Sequence, residues 1–424
     1  MSNSLQVSQL AENIKNSKKA GFLSSIYKKG LISKFKRLKN GQITLIDNNQ
    51  KLVFGEKGSK LEVTVNILSQ EFYVFLGSGG VLGASEAYTA GLWKSNDLVK
   101  LVQIILKNKS IMNDIDSGIS KSIVNLINSF IHKTRQNSLS GSKKNILAHY
   151  DLSNEFYQLW LDPTMTYSAA FFKEDSYTLE QASIEKLDRI CRKLKVNKSD
   201  SLLEIGTGWG SFAIHAAKNY GCRITTTTIS DKQFEYAKKR IKEEKLESRI
   251  TLLNSDYRKL SGQYDKIVSI EMIEAVGYQY IPEYFRKVSS LLKSDGLMAL
   301  QGITFNDQGF DRYKKSVDLI KKYIFPGSCL ISINQITEVI KEKTDLNIVN
   351  FEDITAHYAE TLKRWRLNFL KSIDQVKKLG FSESFINLWE FYFIYCEAGF
   401  VERHIGDVQI VFAKSGARDI NIRF

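Results

Sequence analysis

The sequence is poor in the residues that mark several protein classes. Its 424 residues include only 3 prolines, beside 26 glycines, which is an ordinary share. This composition excludes collagen-like chains, elastic chains and long disordered segments. The four cysteines are widely spaced and form no CxxC pair, so neither a disulfide framework nor a zinc site is expected. We expect reduced thiols and no metal site.

Long apolar runs are also missing. Stretches such as 101–106 and 391–395 are far shorter than the roughly 20 residues that a membrane-spanning helix needs. The first residues, MSNSL, lack the apolar core of a secretory signal. With 43% hydrophobic and 25% charged residues, the chain has enough apolar material for a globular protein of more than one domain. These features together predict a cytoplasmic protein.

The net charge of +14 is concentrated in the first third of the chain. Residues 1–144 contain 21 lysines and arginines but only 9 acids. A one-sided basic domain indicates a polyanionic partner, either nucleic acid or an anionic membrane surface. Residues 20–39 mix apolar and basic side chains as interfacial helices do. Since no zinc finger, RNA-binding sheet motif or basic zipper occurs, the sequence favours a membrane over nucleic acid.

The chain divides at a polar segment. Residues 134–145, TRQNSLSGSKKN, are poor in apolar side chains and carry several serines and a glycine, as linkers do. Before it, short β-like runs and then a helical pattern are predicted at 42–46, 61–68, 71–76 and 96–132. We therefore expect a basic N-terminal domain at 1–133, a linker at 134–145 and a catalytic domain at 146–424.

After the linker, predicted strands and helices alternate. Thr178 and Gln181 fit a capping box that opens an amphipathic helix. Strands are predicted at 201–205, 222–228, 250–254, 264–271 and 296–303, with a late strand at 407–413 that would close the edge. Alternation of this kind predicts a doubly wound, largely parallel sheet. Helical insertions are predicted at 308–344 and 357–403.

A glycine-rich loop follows the first of these strands. Glu204, Gly206, Gly208 and Gly210 form an ExGxGxG pattern between strand and helix, where glycines let the backbone approach a ligand. The spacing differs from the GxGxxG of dinucleotide sites. It is typical of S-adenosylmethionine (SAM) methyltransferases. No acid ends the second strand, so the predicted ribose contacts are Thr228 and Gln233, and those near adenine are Asp256 and Tyr257.

Eight segments then resemble one family, the cyclopropane-fatty-acyl-phospholipid synthases, in order over 146–413. Their sequences are AHYDLSN (148–154), WLDPTMTYS (160–168), TIS (228–230) with Gln233, DYR (256–258), IEMIEAVG (270–277), KYIFPG (322–327), AHY (356–358) and YCEAGF (395–400). The EAVG segment and QGIT (301–304) are most similar to the plant-type branch and its bacterial relatives. Residues 83–93 resemble the family's lipid-binding domain.

The resemblance implies a Rossmann-like class I methyltransferase fold with helical insertions, plus a smaller N-terminal α+β lipid-binding domain. It implies SAM as cofactor, with Tyr167 and Ser168 among its contacts. The implied reaction transfers the methyl group to a cis double bond of a phospholipid acyl chain and then removes a proton to close a cyclopropane ring. The protein would act peripherally at the inner face of the membrane, and family members are often homodimers.

In the family, a bicarbonate ion acts as the base. It is held by Cys, Glu, His, an Ile backbone and Tyr, which correspond here to Ala169, Glu274, Gln301, Ile303 and Tyr358. Ala169 and Gln301 depart from the family pattern, and Gln301 cannot take up a proton. Two bases therefore remain open, bicarbonate or Glu274 itself with a pKa raised by burial.

Two other functions remain open beside the cyclopropane synthase. Loss of the family's base site would favour a SAM-dependent methyltransferase that makes methyl-branched or methylene fatty acyl chains. A protein of another class, a non-catalytic lipid-binding protein with a degenerate methyltransferase fold, would have lost SAM binding. The intact glycine loop, Gln233 and Glu274 argue against the latter.

Overall fold

The computed structural model describes residues 20–111, 152–418 and 420, which fall into two compact units. The first comprises the described part of Met1–Thr134 with Ser316–Ile324 and Leu362–His404, and the second comprises the described part of Arg135–Lys315 with Phe325–Thr361 and Ile405–Phe424. The predicted linker at 134–145 and the helical pattern at 112–132 lie outside the described residues. Within the described ranges, no helix combines the length and apolar character that crossing a membrane requires.

The regular elements are numbered in chain order. The helices are α1 Ala20–Phe35, α2 Glu71–Thr89, α3 Leu98–Lys107, α4 Asn154–Gln158, α5 Leu179–Lys193, α6 Ser211–Tyr220, α7 Asp231–Glu243, α8 Ile281–Leu291, α9 Asp307–Tyr313, α10 Ile333–Lys343, α11 Thr355–Lys371, α12 Ile373–Lys378 and α13 Glu383–Val401. The strands are β1 Gln42–Asp47, β2 Gln50–Gly55, β3 Glu62–Ile67, β4 Trp93–Ser95, β5 Ser201–Ile205, β6 Arg223–Thr228, β7 Ile250–Asn254, β8 Tyr264–Ile270, β9 Leu292–Phe305, β10 Leu346–Asp353 and β11 Ile405–Lys414. A π-helical turn spans Ile320–Ile324.

The first unit contains a four-stranded mixed sheet in the order β2-β1-β3-β4. Asn48 and Asn49 join β1 to β2 with positive φ angles of 45° and 66°, as a tight hairpin turn requires. The strands predicted at 42–46 and 61–68 are confirmed as β1 and β3. The strand predicted at 71–76 is wrong, because these residues begin α2, whose apolar side chains Phe72, Tyr73 and Phe75 are all buried.

Helix α13 explains why a late part of the chain belongs to the first unit. It is apolar on most faces and packs against α2 and α3. The Tyr88 hydroxyl donates to Glu390 at 2.9 Å, and Lys107 pairs with Glu402 at 2.7 Å. The division made from the sequence placed 316–324 and 362–404 in the catalytic domain, whereas in the structure they group with the N-terminal part.

The second unit contains a seven-stranded sheet in the order β10-β11-β9-β8-β5-β6-β7. The strands from β9 to β7 are parallel, and β11 is antiparallel to both of its neighbours. One core cluster includes side chains of α8 and α10, and another includes side chains of α5 and α6. The predicted doubly wound α/β fold is therefore confirmed, as is the capping box of Thr178 and Gln181.

The last strand was predicted to lie at the edge of the sheet, and this placement is wrong. Strand β11 lies inside the sheet, between β9 and β10, and β10 forms the edge. Every residue from 407 to 413 is buried, as a strand covered on both faces requires. Strand β10, with the sequence LNIVNFED, has only one buried residue, and its apolar side chains do not alternate regularly with polar ones, so no strand was predicted there.

Two glycines in α2 provide a test of the first unit's packing. A Cβ on Gly83 would overlap the backbone oxygen of Phe75, whereas a Cβ on Gly79 would meet no atom within 4 Å. We expect Gly83→Ala to lower the free energy of unfolding by about 1–3 kcal/mol, as overpacking does. Gly79→Ala should leave it unchanged or raise it by up to about 1 kcal/mol. Urea unfolding of both variants checks this, and equal stabilities would contradict the packing described.

Candidate active site

The glycine loop leaves the sheet at the carboxyl end of β5. Gly206, Gly208 and Gly210 have φ angles of 102°, 53° and 90°, a region that disfavours any residue with a side chain. A Cβ on Gly208 would meet no protein atom within 4 Å, so the space beside it is open. A Cβ on Gly206 would lie 3.1 Å from Cγ of Met272, so this glycine adjoins the segment after β8. The loop thus forms a cradle in which a ligand can approach the backbone.

Glu204 supports this loop from within the fold. Its carboxylate accepts a hydrogen bond of 2.6 Å from the Thr226 hydroxyl, which also lies 2.7 Å from the hydroxyl of Thr207 in the loop. Burial raises the pKa of Glu204 to about 8, against the opposing effects of Thr226 and the Lys186 charge. Only 3% of Glu204 is exposed. The structure therefore places this predicted cofactor contact beneath the loop, as its support.

The segment at 160–168 lies against the loop. One guanidinium nitrogen of Arg240 donates to the backbone oxygens of both Thr164 and Trp209 at 2.9 Å. The ring of Tyr167 packs near that of Trp209, with centroids 6.5 Å apart. Ser168 is buried and accepts a hydrogen bond of 2.7 Å from Lys186. Tyr167 is thus brought to the loop, whereas the hydroxyl of Ser168 is already used by a buried lysine.

The predicted nucleoside contacts follow β6 and β7. The Thr228 hydroxyl donates to the Gln233 side chain at 3.1 Å. Both Asp256 oxygens accept from Arg258, at 2.9 Å and 2.7 Å. Burial raises the pKa of Asp256, but the hydrogen bonds from Arg258 outweigh it and leave the pKa below its ordinary value. Tyr257 packs edge-on against Tyr284, with ring centroids 5.5 Å apart. These four positions line the same end of the sheet as the loop.

A second polar cluster surrounds Glu271, directly after β8. Its Oε1 accepts hydrogen bonds of 2.8 Å from the Ala169 backbone N–H and from Nε2 of Gln301. Its Oε2 accepts a hydrogen bond of 2.7 Å from the Tyr358 hydroxyl. Burial raises the pKa of Glu271, while these three donors favour the ionised form. Three of the five residues predicted to hold a base therefore converge on one carboxylate.

The other two predicted residues meet at Glu274. Its Oε1 accepts a hydrogen bond of 2.5 Å from the Ile303 backbone N–H, and its Oε2 is buried with no hydrogen-bond partner among the described residues. Burial first, and the nearby Glu271 charge second, raise the pKa of Glu274 to about 8. Glu274 is 8% exposed. It is therefore a buried and largely protonated carboxyl group at neutral pH.

The orientation of the Gln301 amide is fixed by its neighbours. Its oxygen accepts a hydrogen bond of 3.0 Å from the Gln409 side chain, which leaves its nitrogen to face Glu271. Asp407 lies 3.4 Å from the same nitrogen and is fully buried, and burial raises its pKa well above the ordinary value. Burial lowers the pKa of Lys186 to about 8, although Glu271 and Asp407 oppose this shift.

Glu271, Asp407 and Lys186 were not among the predicted site residues. Glu271 had a signal, because it is the last residue of the strand predicted at 264–271, and ligand-binding groups gather at the carboxyl ends of parallel strands. Lys186 also had one, since it is four residues from both Ala182 and Ile190 and so falls on the buried face of α5. Asp407 had no comparable signal. It opens the buried run of β11, which the sequence placed at an edge.

The open cradle at Gly208 can be tested by filling it. We expect Gly208→Val to weaken SAM binding by about tenfold or more, because a steric clash costs about 1–3 kcal/mol and 1.4 kcal/mol is tenfold in affinity. The matched control is Gly380→Val in the first unit, which has a φ of 87° and equally open space. It carries a similar backbone strain without touching the loop. Calorimetric titration with SAM measures both, and equal affinities would contradict the assignment of the cradle.

Comparison with known proteins agrees with this geometry. Residues 137–410 match the family described as mycolic acid cyclopropane synthetase. The chain is 35% identical over 351 residues to a tuberculostearic acid methyltransferase of Mycobacterium tuberculosis, covering 80% of this chain and 81% of that protein. It is 30% identical over 385 residues to the cyclopropane-fatty-acyl-phospholipid synthase of Escherichia coli, covering 88% and 96%.

A solved structure of the mycolic acid cyclopropane synthase CmaA1, in complex with SAH and CTAB, matches with a TM-score of 0.60 and 29% identity. The match covers 64% of this chain and 98% of that one. The residues at the glycine loop fit SAM, since the space at Gly208 is open and the loop N–H groups of Gly206 and Thr207 donate to the backbone oxygen of Thr227, next to the paired Thr228 and Gln233. The chain therefore belongs to the mycolic acid cyclopropane synthetase family, and it is a methyltransferase whose cofactor is SAM.

Proposed function

We propose that this protein is a cyclopropane-fatty-acyl-phospholipid synthase. SAM supplies the methyl group, which is added to a cis double bond of a phospholipid acyl chain, and loss of a proton closes the ring. The observation that carries the proposal is the carboxylate of Glu271, a residue that directly follows β8 at the carboxyl end of the sheet and precedes Met272, whose side chain adjoins the glycine loop. A proton acceptor beside the cofactor cradle is what methyl transfer to an alkene requires, because the resulting cation must lose a proton.

The surroundings of the cradle suit a cationic reaction. The rings of Tyr157, Trp160 and Phe325 surround Tyr167, with centroid distances between 5.2 and 6.2 Å. Aromatic faces stabilise positive charge, and an apolar wall excludes the water that would trap a cation. An alkene is a poor nucleophile, so orientation and charge stabilisation must supply much of the rate. This set of side chains can provide both.

A second candidate reaction shares the methyl transfer and differs in the proton that leaves. Removal of a proton from a neighbouring chain carbon, instead of from the new methyl group, would give a methylene or methyl-branched product. The departures at Ala169 and Gln301 favour this candidate, because both alter the site of the family's base. The similarity to a tuberculostearic acid methyltransferase supports it as well.

The lipid substrate requires access to a membrane, and α1 has a surface suited to it. Phe22, Leu23 and Ile26 are 74%, 37% and 49% exposed on this helix. Lys29, Lys36 and Lys39 are exposed in the same helix or just after it. Apolar side chains beside lysines are the make-up of a segment that lies in an anionic interface. We propose peripheral association with the inner face of the membrane.

The direct test is a product assay. Purified protein is incubated with methyl-labelled SAM and vesicles of a monounsaturated anionic phospholipid, and the fatty acyl methyl esters are resolved by mass spectrometry and proton NMR. We expect a labelled product with the upfield protons of a cyclopropane ring. Olefinic or branched-methyl signals would establish the second candidate instead. No labelled lipid, from protein shown to bind SAM and vesicles, would overturn both.

Membrane docking has a test with a matched control. Replacing Lys29, Lys36 and Lys39 with Gln should weaken binding to anionic vesicles by about ten- to a hundredfold, since each base near the surface contributes about 1 kcal/mol. The control replaces Lys238, Lys242 and Lys245 of the second unit with Gln. These lysines are also exposed, and their replacement removes the same amount of charge. Vesicle co-sedimentation at two salt concentrations measures both, because salt screens such binding. An equal loss of vesicle binding in both triple variants would show that α1 is not the docking surface.

A further inference from the structure

We propose that the Glu271 carboxylate is the protein's own proton acceptor and occupies the place that the family resemblance assigns to a bicarbonate ion. The enzyme would then work without bicarbonate. This inference rests on the proposed function for its chemistry, but its central claim concerns which group fills the site. That claim can be tested without turnover.

The hydrogen-bond donors around Glu271 carry the argument. The family resemblance assigned Ala169, Gln301 and Tyr358 to the ion, and in the structure all three donate to Glu271, at 2.8, 2.8 and 2.7 Å. A carboxylate and bicarbonate both present a planar pair of oxygens, so one can take the other's hydrogen bonds. The fourth donor, the Ile303 N–H, is held by Glu274. The residues present therefore do not fit a bicarbonate ion, because every assigned donor is already engaged.

The backbone holds this carboxylate in place. Glu271 has a φ of 48°, a left-handed conformation that is unfavourable for a residue with a side chain. Its N–H donates to the backbone oxygen of Gln301 at 2.9 Å, which ties the turn to β9. Backbone strain of this kind is tolerated where the surrounding structure over-determines it, commonly at functional sites. Here the strain accompanies a side chain fixed by three donors.

Accessibility distinguishes Glu271 from Glu274. Glu274 is buried and its protonated form is favoured, which makes it a poor proton acceptor. Glu271 is only partly buried, and the next residue, Met272, lies against Gly206 of the glycine loop. Glu271 is therefore the more exposed of the two carboxyl groups, and it directly precedes a residue that adjoins the cradle. Glu274, the acceptor considered from the sequence, becomes a neighbour that stays neutral.

The proton balance can be written with this chain's residues. The alkene's π electrons form the bond to the methyl carbon, the carbon–sulfur bond breaks with its electrons going to sulfur, and the second alkene carbon becomes positive. An oxygen of Glu271 then takes a proton from the new methyl group, and the freed C–H electrons close the ring onto the positive carbon. Glu271 becomes a carboxylic acid, which later returns the proton to solvent. No further oxidant or reductant is needed.

The first experiment measures bicarbonate binding without turnover. Carbon-13 bicarbonate is titrated, with NMR detection, into the wild-type chain, Glu271→Ala and Glu274→Ala. We expect Glu271→Ala to bind it at least tenfold more tightly than the wild type, because three donors are left open. Glu274→Ala is the matched control, since it removes a neighbouring carboxyl group while Glu271 still fills the site. It should bind no more tightly than the wild type. Saturable binding to the wild type as tight as to Glu271→Ala would overturn the proposal.

The second experiment measures product formation in buffer freed of carbon dioxide. Added bicarbonate should change the wild-type rate less than twofold. The rate of product formation by Glu271→Ala should be at least a hundredfold below that of the wild type, and added bicarbonate or formate should raise it at least tenfold. Glu271→Gln still fills the site, so its rate should fall and should not recover. A bicarbonate-dependent wild type, or a fully active Glu271→Ala, would overturn the proposal.

Two controls keep the outcomes separate. SAM affinity should stay near wild type and each variant should remain folded at the assay temperature, and Glu271→Ser replaces Glu271→Ala if the latter does not fold. If the wild-type chain makes no labelled lipid under any condition, the proposed function fails. The bicarbonate titration then still decides whether Glu271 holds the ion's place.

Discussion

The site depends on the requirement that a carboxylate partly shielded from water must find donors within the protein. Glu271 obtains three of them from parts of the chain that are far apart in sequence, namely the segment before α5, strand β9 and helix α11. A missing donor would leave a charge without compensation in a low-dielectric interior, which is costly. The register of β9 against β8 and the position of α11 are therefore both constrained by one side chain. The glycine loop is connected to these segments through the contact between Gly206 and Met272, the residue after Glu271.

The same constraint determines the charges of the neighbours. Glu271, Glu274 and Asp407 influence one another, and closely placed carboxylates in a dry interior cannot all ionise. Burial raises the pKa values of all three carboxyl groups, but Glu271 has three donors that favour its ionised form. The buried Lys186 contributes a compensating positive charge when protonated. Among the three groups, Glu271 is therefore the one whose hydrogen bonds best support a negative charge.

The sequence predicted the parts of this structure that have a local signature. The strand at 201–205, the strand at 250–254 and the capping box of Thr178 need only neighbouring residues to be recognised, and they were found at the right positions. The grouping of 362–404 with the first unit could not be read in this way, because an apolar helix such as α13 does not show which surface it covers. The same limit applies to the site. Ala169, Gln301 and Tyr358 were identified by resemblance, but that all three donate to Glu271 depends on distances that only the folded chain fixes.

If Glu271 is the acceptor, as proposed, the nature of the product follows from the geometry of that one group. A mobile ion can approach a carbocation from several directions, whereas a side chain held by three donors and a strained backbone has one position. Ring closure requires that position to face the newly added methyl group, and a methylene product requires it to face the adjacent chain carbon. Because this acceptor would be fixed, the choice would pass to how the acyl chain is positioned beside it. Product specificity in this enzyme should therefore respond more to apolar residues that set the acyl chain's position than to the identity of the base.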